Sequence, residues 1–265
     1  MQLQAGLQSF FLHCGDSARV AVKVLFTTSS PAHEGQYQRL RTEYGAVEFI
    51  RESGFKEDLL AALAGHPYIL FLVDDNLFVR DFVLEHAVES LKNQPGALGF
   101  SLRLGENTTY CYMLNREQKL PAFTTLEHNV LWHEWVDAAC DFGYPLEVSS
   151  SLYRTKDLLP LLHKIDFRNP NTLELLLDAN KTLYAHVRSR LLCFQKSVAF
   201  CNPLNIVQTM WINRAGSREQ YTAEKLSSLF DQGLRIDVEA LADFVPAACH
   251  QEIEFQFVVR RPGQA

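Results

Sequence analysis

Motifs that define several large enzyme classes are missing from this sequence of 265 residues. It contains no GxGxxG dinucleotide fingerprint, no GxxxxGK(S/T) phosphate loop and no GxSxG nucleophile elbow. The dipeptide His133-Glu134 lacks the second histidine of the HExxH zinc motif. Dinucleotide-binding dehydrogenases, P-loop nucleotidases, elbow-type hydrolases and HExxH zinc proteases are therefore disfavoured.

Paired cysteines are also missing. No CxxC motif occurs and the spacing of the thiols is irregular, so neither a zinc ribbon nor a disulfide framework is expected. Each cysteine is predicted to be a small buried side chain in a reducing compartment. The six are Cys14, Cys111, Cys140, Cys193, Cys201 and Cys249.

Dense basic clusters and long apolar runs are absent too. The sequence has 25 basic and 31 acidic residues and a net charge of −6. No Lys/Arg stripe could follow a phosphate backbone, so no nucleic-acid partner is expected. No apolar stretch approaches the length that spans a bilayer, and the residues before Arg19 do not form a secretory leader. We therefore expect a cytoplasmic protein without an integral membrane segment.

The sequence does contain enough apolar material for a substantial core, since 47% of its residues are hydrophobic. One domain over residues 1–265 is expected. The first 80 residues read as helix, strand, helix, strand, helix, strand, which predicts a doubly wound, mostly parallel sheet flanked by helices. Tyr68–Val73, which is rich in bulky apolar side chains, is predicted to be a central parallel strand.

Asp74, Asp75 and Asn76 follow this strand directly. Ligands of open α/β sheets bind beyond the carboxyl ends of such strands. Two adjacent carboxylates repel each other, and a hard divalent cation that bridges to phosphate groups is a common way to offset that charge. The alternative is structural: Asp75 would cap a following helix, because Asp is a favoured N-cap residue.

Further elements are predicted after the acidic stretch. A strand over Ala97–Leu104 carries Arg103 among apolar residues, and Cys111–Leu114 is expected to be its hairpin partner. Glu174 lies in the first turn of a helix that follows Pro170, where it either complements the helix dipole or serves as a general base. The other predicted elements are strands over Leu146–Tyr153 and Leu191–Phe200, helices over 155–163, Thr222–Gln232 and Asp237–Phe244, and a strand that begins at His250.

The order of these features resembles the GT-A fold of nucleotide-sugar-dependent glycosyltransferases, particularly family-2-like bacterial members. The segments that carry the resemblance are ILFLVDDN, SLRLG, DFGYPLEVSSSLYR, NPNTLE, NPLNIVQ and ACHQE, and they extend over nearly the whole chain from Gln2. The resemblance implies an α/β fold with a GT-A-like doubly wound mixed sheet that is mostly parallel. A nucleotide-sugar-binding half would cover about residues 1–105, and an acceptor-binding and catalytic half about residues 106–265. The family's fold opens on a further strand, which we expect upstream of Met1.

The same resemblance implies a donor site. Asp74 would contact the ribose and Asp75 the metal and diphosphate, while Asn76 and His250 would complete the ligands of a Mn²⁺ or Mg²⁺ ion. A strict DxD motif has a carboxylate at the position of Asn76, where this chain offers a neutral amide oxygen. The further residues expected on the nucleotide-sugar are Thr27, Lys56 and Arg103.

The implied activity is transfer of a sugar, of the hexosyltransferase type, from a UDP- or GDP-sugar to a glycan or another hydroxyl acceptor. Glu174 corresponds to the family's general base, with Asp141 and Glu147 as substitutes. Inversion is expected when one carboxylate takes the acceptor proton, whereas attack by a second carboxylate would give retention.

Two other classes of function compete with sugar transfer. An aspartyl phosphatase is disfavoured, because Asn76-Leu77-Phe78 lacks the small residues that follow the nucleophile in that motif. A non-catalytic module of the same fold that binds a glycan or a protein partner stays open. The sugar, the nucleotide base, the acceptor and the oligomeric state are not encoded in these patterns.

Overall fold

The computed structural model describes residues 1–204 and 221–259. The helices in these ranges are α1 Gln2–His13, α2 Pro31–Glu43, α3 Phe55–Leu63, α4 Leu84–Asn93, α5 Thr155–Lys164, α6 Pro170–Ala179 and α7 Ala223–Asp231. The strands are β1 Lys23–Phe26, β2 Glu48–Arg51, β3 Tyr68–Leu70, β4 Asn76–Phe78, β5 Ala97–Ser101, β6 Tyr110–Cys111, β7 Arg116–Glu117, β8 Thr124–Thr125, β9 Val130–Glu134, β10 Ser151–Arg154, β11 Arg190–Phe194, β12 Ala199–Cys201, β13 Leu234–Ile236 and β14 Phe257–Val259.

A six-stranded mixed sheet forms the centre of the molecule. Its strand order is β3-β10-β5-β11-β9-β8. Only β5 and β11 run parallel in this sheet, while the other neighbouring pairs are antiparallel. A separate parallel pair is formed by β1 and β2. The α/β class is confirmed, but the prediction of a mostly parallel sheet is wrong for the described residues.

The strand before the two aspartates lies at the end of the six-stranded sheet. The prediction of a central parallel strand over Tyr68–Val73 is therefore wrong: β3 pairs with β10 alone and antiparallel, with Leu70 opposite Leu152. Phe71 is buried, but Leu72 is 40% exposed. An apolar run indicates that a strand is buried, but it does not indicate which distant segment pairs with that strand.

Most helices lie where periodicity predicts them, with differences at their ends. The sequence predicts the second helix only over Tyr37–Tyr44, but it begins at Pro31, because the Ser30 side chain accepts a hydrogen bond from the His33 amide at 3.2 Å and proline is favoured at the first helical position. The helix predicted over Asp237–Phe244 is only a 3-10 turn at Glu239–Leu241.

Several predicted strands are also corrected. Cys111–Leu114 is not the hairpin partner of β5, because β6 pairs with β7 through a tight turn of its own. The strand predicted over Leu191–Phe200 is two strands: β11 lies in the central sheet, whereas β12 pairs with β4. The alternating segment that begins at His250 forms a strand only at its end, over β14, which pairs with β13. In each case local alternation identified extended chain but not its neighbour.

Apolar clusters cover both faces of the central sheet. Neighbouring strand residues point to opposite faces, so Leu152 and Leu192 join one cluster while Tyr153 and Leu191 join the other. Helices α3, α5 and α6 cover the Tyr153 face, and α1 and α4 cover the opposite face. A third cluster packs α7 and β13 against α1. None of the helices in the described ranges has the length and apolar character needed to cross a membrane.

A substitution at Gly99 tests the packing of this sheet. A Cβ atom there would lie 2.6 Å from the ring of the fully buried Tyr153 and 3.2 Å from the Leu152 carbonyl oxygen. We expect Gly99→Ala to lower the free energy of unfolding by about 1–3 kcal/mol, because a packed core resists added volume. Urea denaturation measures this change.

The matched control is Gly35→Ala in the exposed part of α2, where a Cβ atom would meet nothing within 4 Å. Alanine at this helical site is expected to raise the stability by up to about 1 kcal/mol. Equal effects of the two substitutions would contradict the close approach of Gly99 to Tyr153.

Candidate active site

A short turn that leads from β3 into β4 carries the two aspartates. The Asn76 side chain closes it: Oδ1 accepts the Val73 amide hydrogen at 2.7 Å, and Nδ2 donates to the Ser149 carbonyl oxygen at 3.1 Å. Helix α1 packs against the same turn, since a Cβ atom on Gly6 would lie 3.0 Å from the Asn76 carbonyl oxygen. Asn76 thus fixes the backbone that presents Asp74 and Asp75.

Asp75 carries the more strongly perturbed of the two carboxyl groups. Burial, followed by repulsion from Asp74, raises the pKa of Asp75 to about 7, although the positive charge of Arg103 opposes this change. Its Oδ1 atom is buried and has no hydrogen-bond partner within residues 1–204 and 221–259. The pKa of Asp74 is also raised, mainly by desolvation of its carboxyl group. An open, partly protonated carboxyl group is suited to bind a cation, which would displace the proton.

Arg103 is a buried cation beside this turn. It follows β5 and is only 4% exposed, and its guanidinium forms an ion pair with Glu147 at 3.1 Å. Glu147 also accepts hydrogen bonds from the Ser149 amide and the Ser151 hydroxyl. A buried charge requires such pairing, because an isolated ion is strongly destabilised away from water.

His250 is brought to Arg103 by a short bridge between two chain segments. The Gln251 amide donates to the Cys201 carbonyl oxygen, and the Cys201 amide to the Cys249 carbonyl oxygen, both at 2.9 Å. Burial, and next the charge of Arg103, lower the pKa of His250 to about 3, so its imidazole is neutral.

The tautomer of His250 follows from its contact with Arg103. The Arg103 guanidinium can only donate, so His250 Nε2 accepts at 3.3 Å and the ring proton lies on Nδ1. That Nδ1–H has no partner within the described part of the chain. It is available as a hydrogen-bond donor to an anionic group.

Glu174 lies within the electrostatic range of the Arg103–Glu147 pair. Helix α6 includes Pro170 as its first residue and does not merely follow it, because the Asn169 side chain caps the helix by accepting the Thr172 amide hydrogen at 2.8 Å. Burial raises the pKa of Glu174 to about 7, with opposing attraction from Arg103 and a further increase from Glu147. A carboxylate that titrates near neutral pH is suited to general-base catalysis.

Lys56 and Thr27, which were predicted to contact the nucleotide-sugar, do not bond to the aspartate turn within the described part of the chain. Lys56 donates to the carbonyl oxygens of Ile165 and His163 at 2.6 and 3.2 Å, and these bonds cap the end of α5. Thr27 is exposed beyond β1. Within NPLNIVQ, residues 205–208 lie outside the described ranges.

Asn202 was not singled out from the sequence as a site residue, yet it lies at the aspartate turn. Its amide donates to the Asp75 carbonyl oxygen at 3.0 Å, and both polar atoms of its buried side chain lack partners among the residues described. Asn202, Asp74 and Asp75 line a cavity of about 10 Å³, which has room for about one water molecule. The signal for it in the sequence is the segment NPLNIVQ, which begins at Asn202.

Asp141 and Tyr37 also lie near the charges of this site. Gln118 donates to Asp141 Oδ2 at 3.1 Å and accepts from the Asp141 amide at the same distance. Burial raises the pKa of Asp141, and Arg103 opposes this change. On α2, burial and next the charge of Asp74 raise the pKa of Tyr37 to about 12.

The fit of a divalent cation depends on which predicted ligands are open. No group of three or more His, Cys, Asp or Glu side chains suited to a metal ion occurs in the described ranges. Asn76 Oδ1 already accepts from Val73, and His250 Nε2 from Arg103, whereas Asp75 Oδ1 is open. Mg²⁺ is commonly held by one or two carboxylates together with substrate phosphates. Asp75 and Asp74 fit such a site.

Comparisons with known proteins give one informative similarity. No protein-family model matches the chain. The chain is 30% identical over 181 residues to the bifunctional glycosyltransferase pgtA of Dictyostelium discoideum, an alignment that covers 62% of this chain and 24% of that protein. The chain therefore spans about a quarter of the length of the relative it matches.

Removing the charge of Glu147 tests the buried ion pair. Glu147→Gln would leave Arg103 as an uncompensated buried cation, so we expect the free energy of unfolding to fall by about 3–5 kcal/mol. Chemical denaturation measures the loss.

Two further variants make this test specific. The double variant Arg103→Met/Glu147→Leu removes both charges and should recover most of the stability. Glu134→Gln, whose partner Arg190 lies 3.2 Å away on the surface, should change stability by at most about 1 kcal/mol. A Glu147→Gln effect no larger than that of Glu134→Gln would refute the buried pair.

Proposed function

We propose that this chain transfers a sugar from a nucleotide-sugar donor to a hydroxyl acceptor. The observation that carries the proposal is the 30% identity to a glycosyltransferase over 181 residues. The site agrees with it, because the buried Arg103 lies 3.1 Å from Glu147 and 3.3 Å from His250 and its charge acts on Asp75 and Glu174, whose pKa values burial raises to about 7.

The donor would bind at the aspartate turn. We assign Asp75, with Asp74 beside it, to a Mn²⁺ or Mg²⁺ ion and the diphosphate of a UDP- or GDP-sugar. A divalent cation held by these carboxylates would supply positive charge to the departing nucleoside diphosphate. His250 then donates its open Nδ1–H to a phosphate oxygen, and Arg103 holds the imidazole in that tautomer.

Asn76 has a structural role in this proposal. Its side chain is buried and hydrogen-bonded to Val73 and Ser149. It therefore stabilises the turn and does not bind the ion. Of the three ligands predicted from the resemblance, Asp75 stays a ligand and His250 becomes a phosphate contact. Arg103 was predicted to contact the nucleotide-sugar, but in this proposal it contacts His250, which in turn contacts the phosphate.

Glu174 would act as the general base. Its carboxylate takes the proton of the acceptor hydroxyl as that oxygen attacks the anomeric carbon, and the configuration inverts. Glu147 is a weaker candidate because Arg103, Ser149 and Ser151 already engage it. Asp141 is held by Gln118. A hexosyltransferase reaction of this kind needs no second carboxylate nucleophile.

A non-catalytic binding module is the second candidate. The engagement of Asn76 favours it, because its side chain bonds to Val73 and Ser149 and leaves the turn one ligand short of a strict DxD motif. Slow metal-dependent hydrolysis of a nucleotide-sugar without acceptor discriminates between the two candidates, since a binding module shows none.

Donor binding is tested by thermal unfolding of the purified protein with UDP, GDP and their sugars, with and without Mn²⁺. At about 100 times the dissociation constant, we expect the midpoint to rise by roughly 5–10 °C with one nucleotide and metal together, because the ligand binds only the native state. Asp75→Asn, of the same size but uncharged, should abolish the metal-dependent part.

The matched control for donor binding is Asp137→Asn, the same exchange at an exposed position that follows β9. It should keep the full shift of the midpoint. A shift that Asp75→Asn leaves unchanged would contradict the donor site.

Turnover should depend on the protonation of Glu174. Its carboxylate must be ionised to accept a proton, and its pKa is about 7, so kcat at saturating metal and donor should be constant above about pH 8 and fall about tenfold per unit below about pH 6. Glu174→Gln should lower kcat by about 10²–10⁴-fold. A stopped assay of nucleotide release measures both.

The control on the same helix is Asp178→Asn, whose carboxylate pairs with Lys181 at 2.8 Å. It should keep wild-type kcat and the same pH profile. If Glu174→Gln retained full turnover, Glu174 would not be the base.

A further inference from the structure

Two cysteines far apart in the sequence lie together beside a small hairpin. Cys111 ends β6, and Cys140 begins a 3-10 turn over Cys140–Gly143. Cys111 lies opposite Arg116 in the β6–β7 hairpin, and the Arg116 side chain reaches Cys140, while Asp141, next to Cys140, accepts a hydrogen bond from the Cys111 thiol at 3.8 Å. Both are free cysteines in this structure.

The two thiols differ in solvent exposure and in their charged neighbours, so they are suited to different steps of a reaction. Cys140 is partly exposed, and the guanidinium of Arg116 donates to its sulfur at 3.3 Å. The Arg116 cation can stabilise negative charge that develops on this sulfur as it reacts, and the partial exposure gives a small oxidant access to it. Cys111 is buried, and this burial raises its pKa to about 11, so it stays a thiol.

Other cysteines do not share this combination. Four cysteines are buried: Cys14, Cys193, Cys201 and Cys249. Among the described residues, Cys140 alone combines partial exposure, a hydrogen bond from an arginine and a second cysteine nearby. The sequence suggested six inert buried thiols, but exposure, a cation and a neighbouring thiol together describe a reactive pair.

We propose that Cys111 and Cys140 are a peroxide-sensitive pair that forms a reversible disulfide. The Cys140 thiolate attacks one oxygen of hydrogen peroxide or an organic hydroperoxide, the O–O bond breaks, and Cys140 becomes a sulfenic acid as hydroxide or alkoxide leaves and is protonated. The Cys111 sulfur then attacks the Cys140 sulfur. The S–O bond breaks, the Cys111 proton goes to the departing hydroxide, and water is released.

The electrons balance in this sequence, because two thiols lose two hydrogens and the peroxide is reduced to two molecules of water or of water and alcohol. Asp141 Oδ1, which accepts from the Cys111 thiol at 3.8 Å, is placed to receive the proton in transit. A dithiol reductant reverses the reaction.

The disulfide would tie the β6–β7 hairpin to the turn that carries Asp141. It replaces the Cys111–Asp141 hydrogen bond with a covalent bond. Because a cross-link restricts the unfolded chain, the oxidised protein should also unfold at a higher temperature than the reduced protein.

The test is oxidation of the native full chain with one equivalent of hydrogen peroxide, followed by alkylation, non-reducing digestion and mass spectrometry. We expect one cross-linked peptide pair that contains Cys111 and Cys140, lighter by two hydrogens and released by dithiothreitol. A different pairing, or over-oxidation of Cys140 without a cross-link, or no oxidation at all, would overturn the proposal.

Variants test the roles within the pair. Cys111→Ser should leave Cys140 as a sulfenic acid that dimedone traps, whereas Cys140→Ser should give no trapped product. Arg116→Gln should slow the cross-link severalfold near neutral pH. Arg168→Gln, whose guanidinium is 84% exposed and pairs with Asp166, should not. Equal rates in the two arginine variants would refute the activation by Arg116.

Discussion

The ion pair between Arg103 and Glu147 is the constraint on which the candidate site depends. A guanidinium that is 4% exposed cannot remain charged there without a partner, and Glu147 supplies that charge at 3.1 Å. A further donor of Arg103 sets the tautomer of His250. Its field also limits how far burial raises the pKa values of Asp75 and Glu174. One buried cation thereby lowers the pKa values of both Asp75, on the proposed donor side, and Glu174, on the proposed acceptor side.

Features that depend on neighbouring residues were predictable from the sequence. The amphipathic helices, the apolar run before Asp74 and the concentration of polar groups after it follow from periodicity and composition. Asn76 shows where this reasoning stops. Its identity suggested a ligand, but its amide bonds to Val73, three residues away, and to Ser149, which only the fold brings near.

Contacts between distant segments could not be predicted, because nothing local encodes them. The sequence marked Glu147 only as a substitute for the general base. Its role as the partner of Arg103 depends on the fold, because Arg103 follows a different strand. Cys111 and Cys140 likewise lie together only because a hairpin folds beside a 3-10 turn, to which it is joined by the Cys111–Asp141 and Arg116–Cys140 contacts. Register and strand order require energies summed over the whole molecule, so local patterns identify elements and leave their partners open.

The position of β10 between β3 and β5 has a consequence for how the chain assembles. Its residues come from the second half of the sequence, yet they separate two strands of the first half. A chain cut near residue 105 would leave β3 and β5 with no neighbour between them, so the central sheet cannot form from the first 105 residues alone. Pairing over such sequence separations also predicts slow folding, since the closure of long loops must precede the contacts that stabilise the sheet.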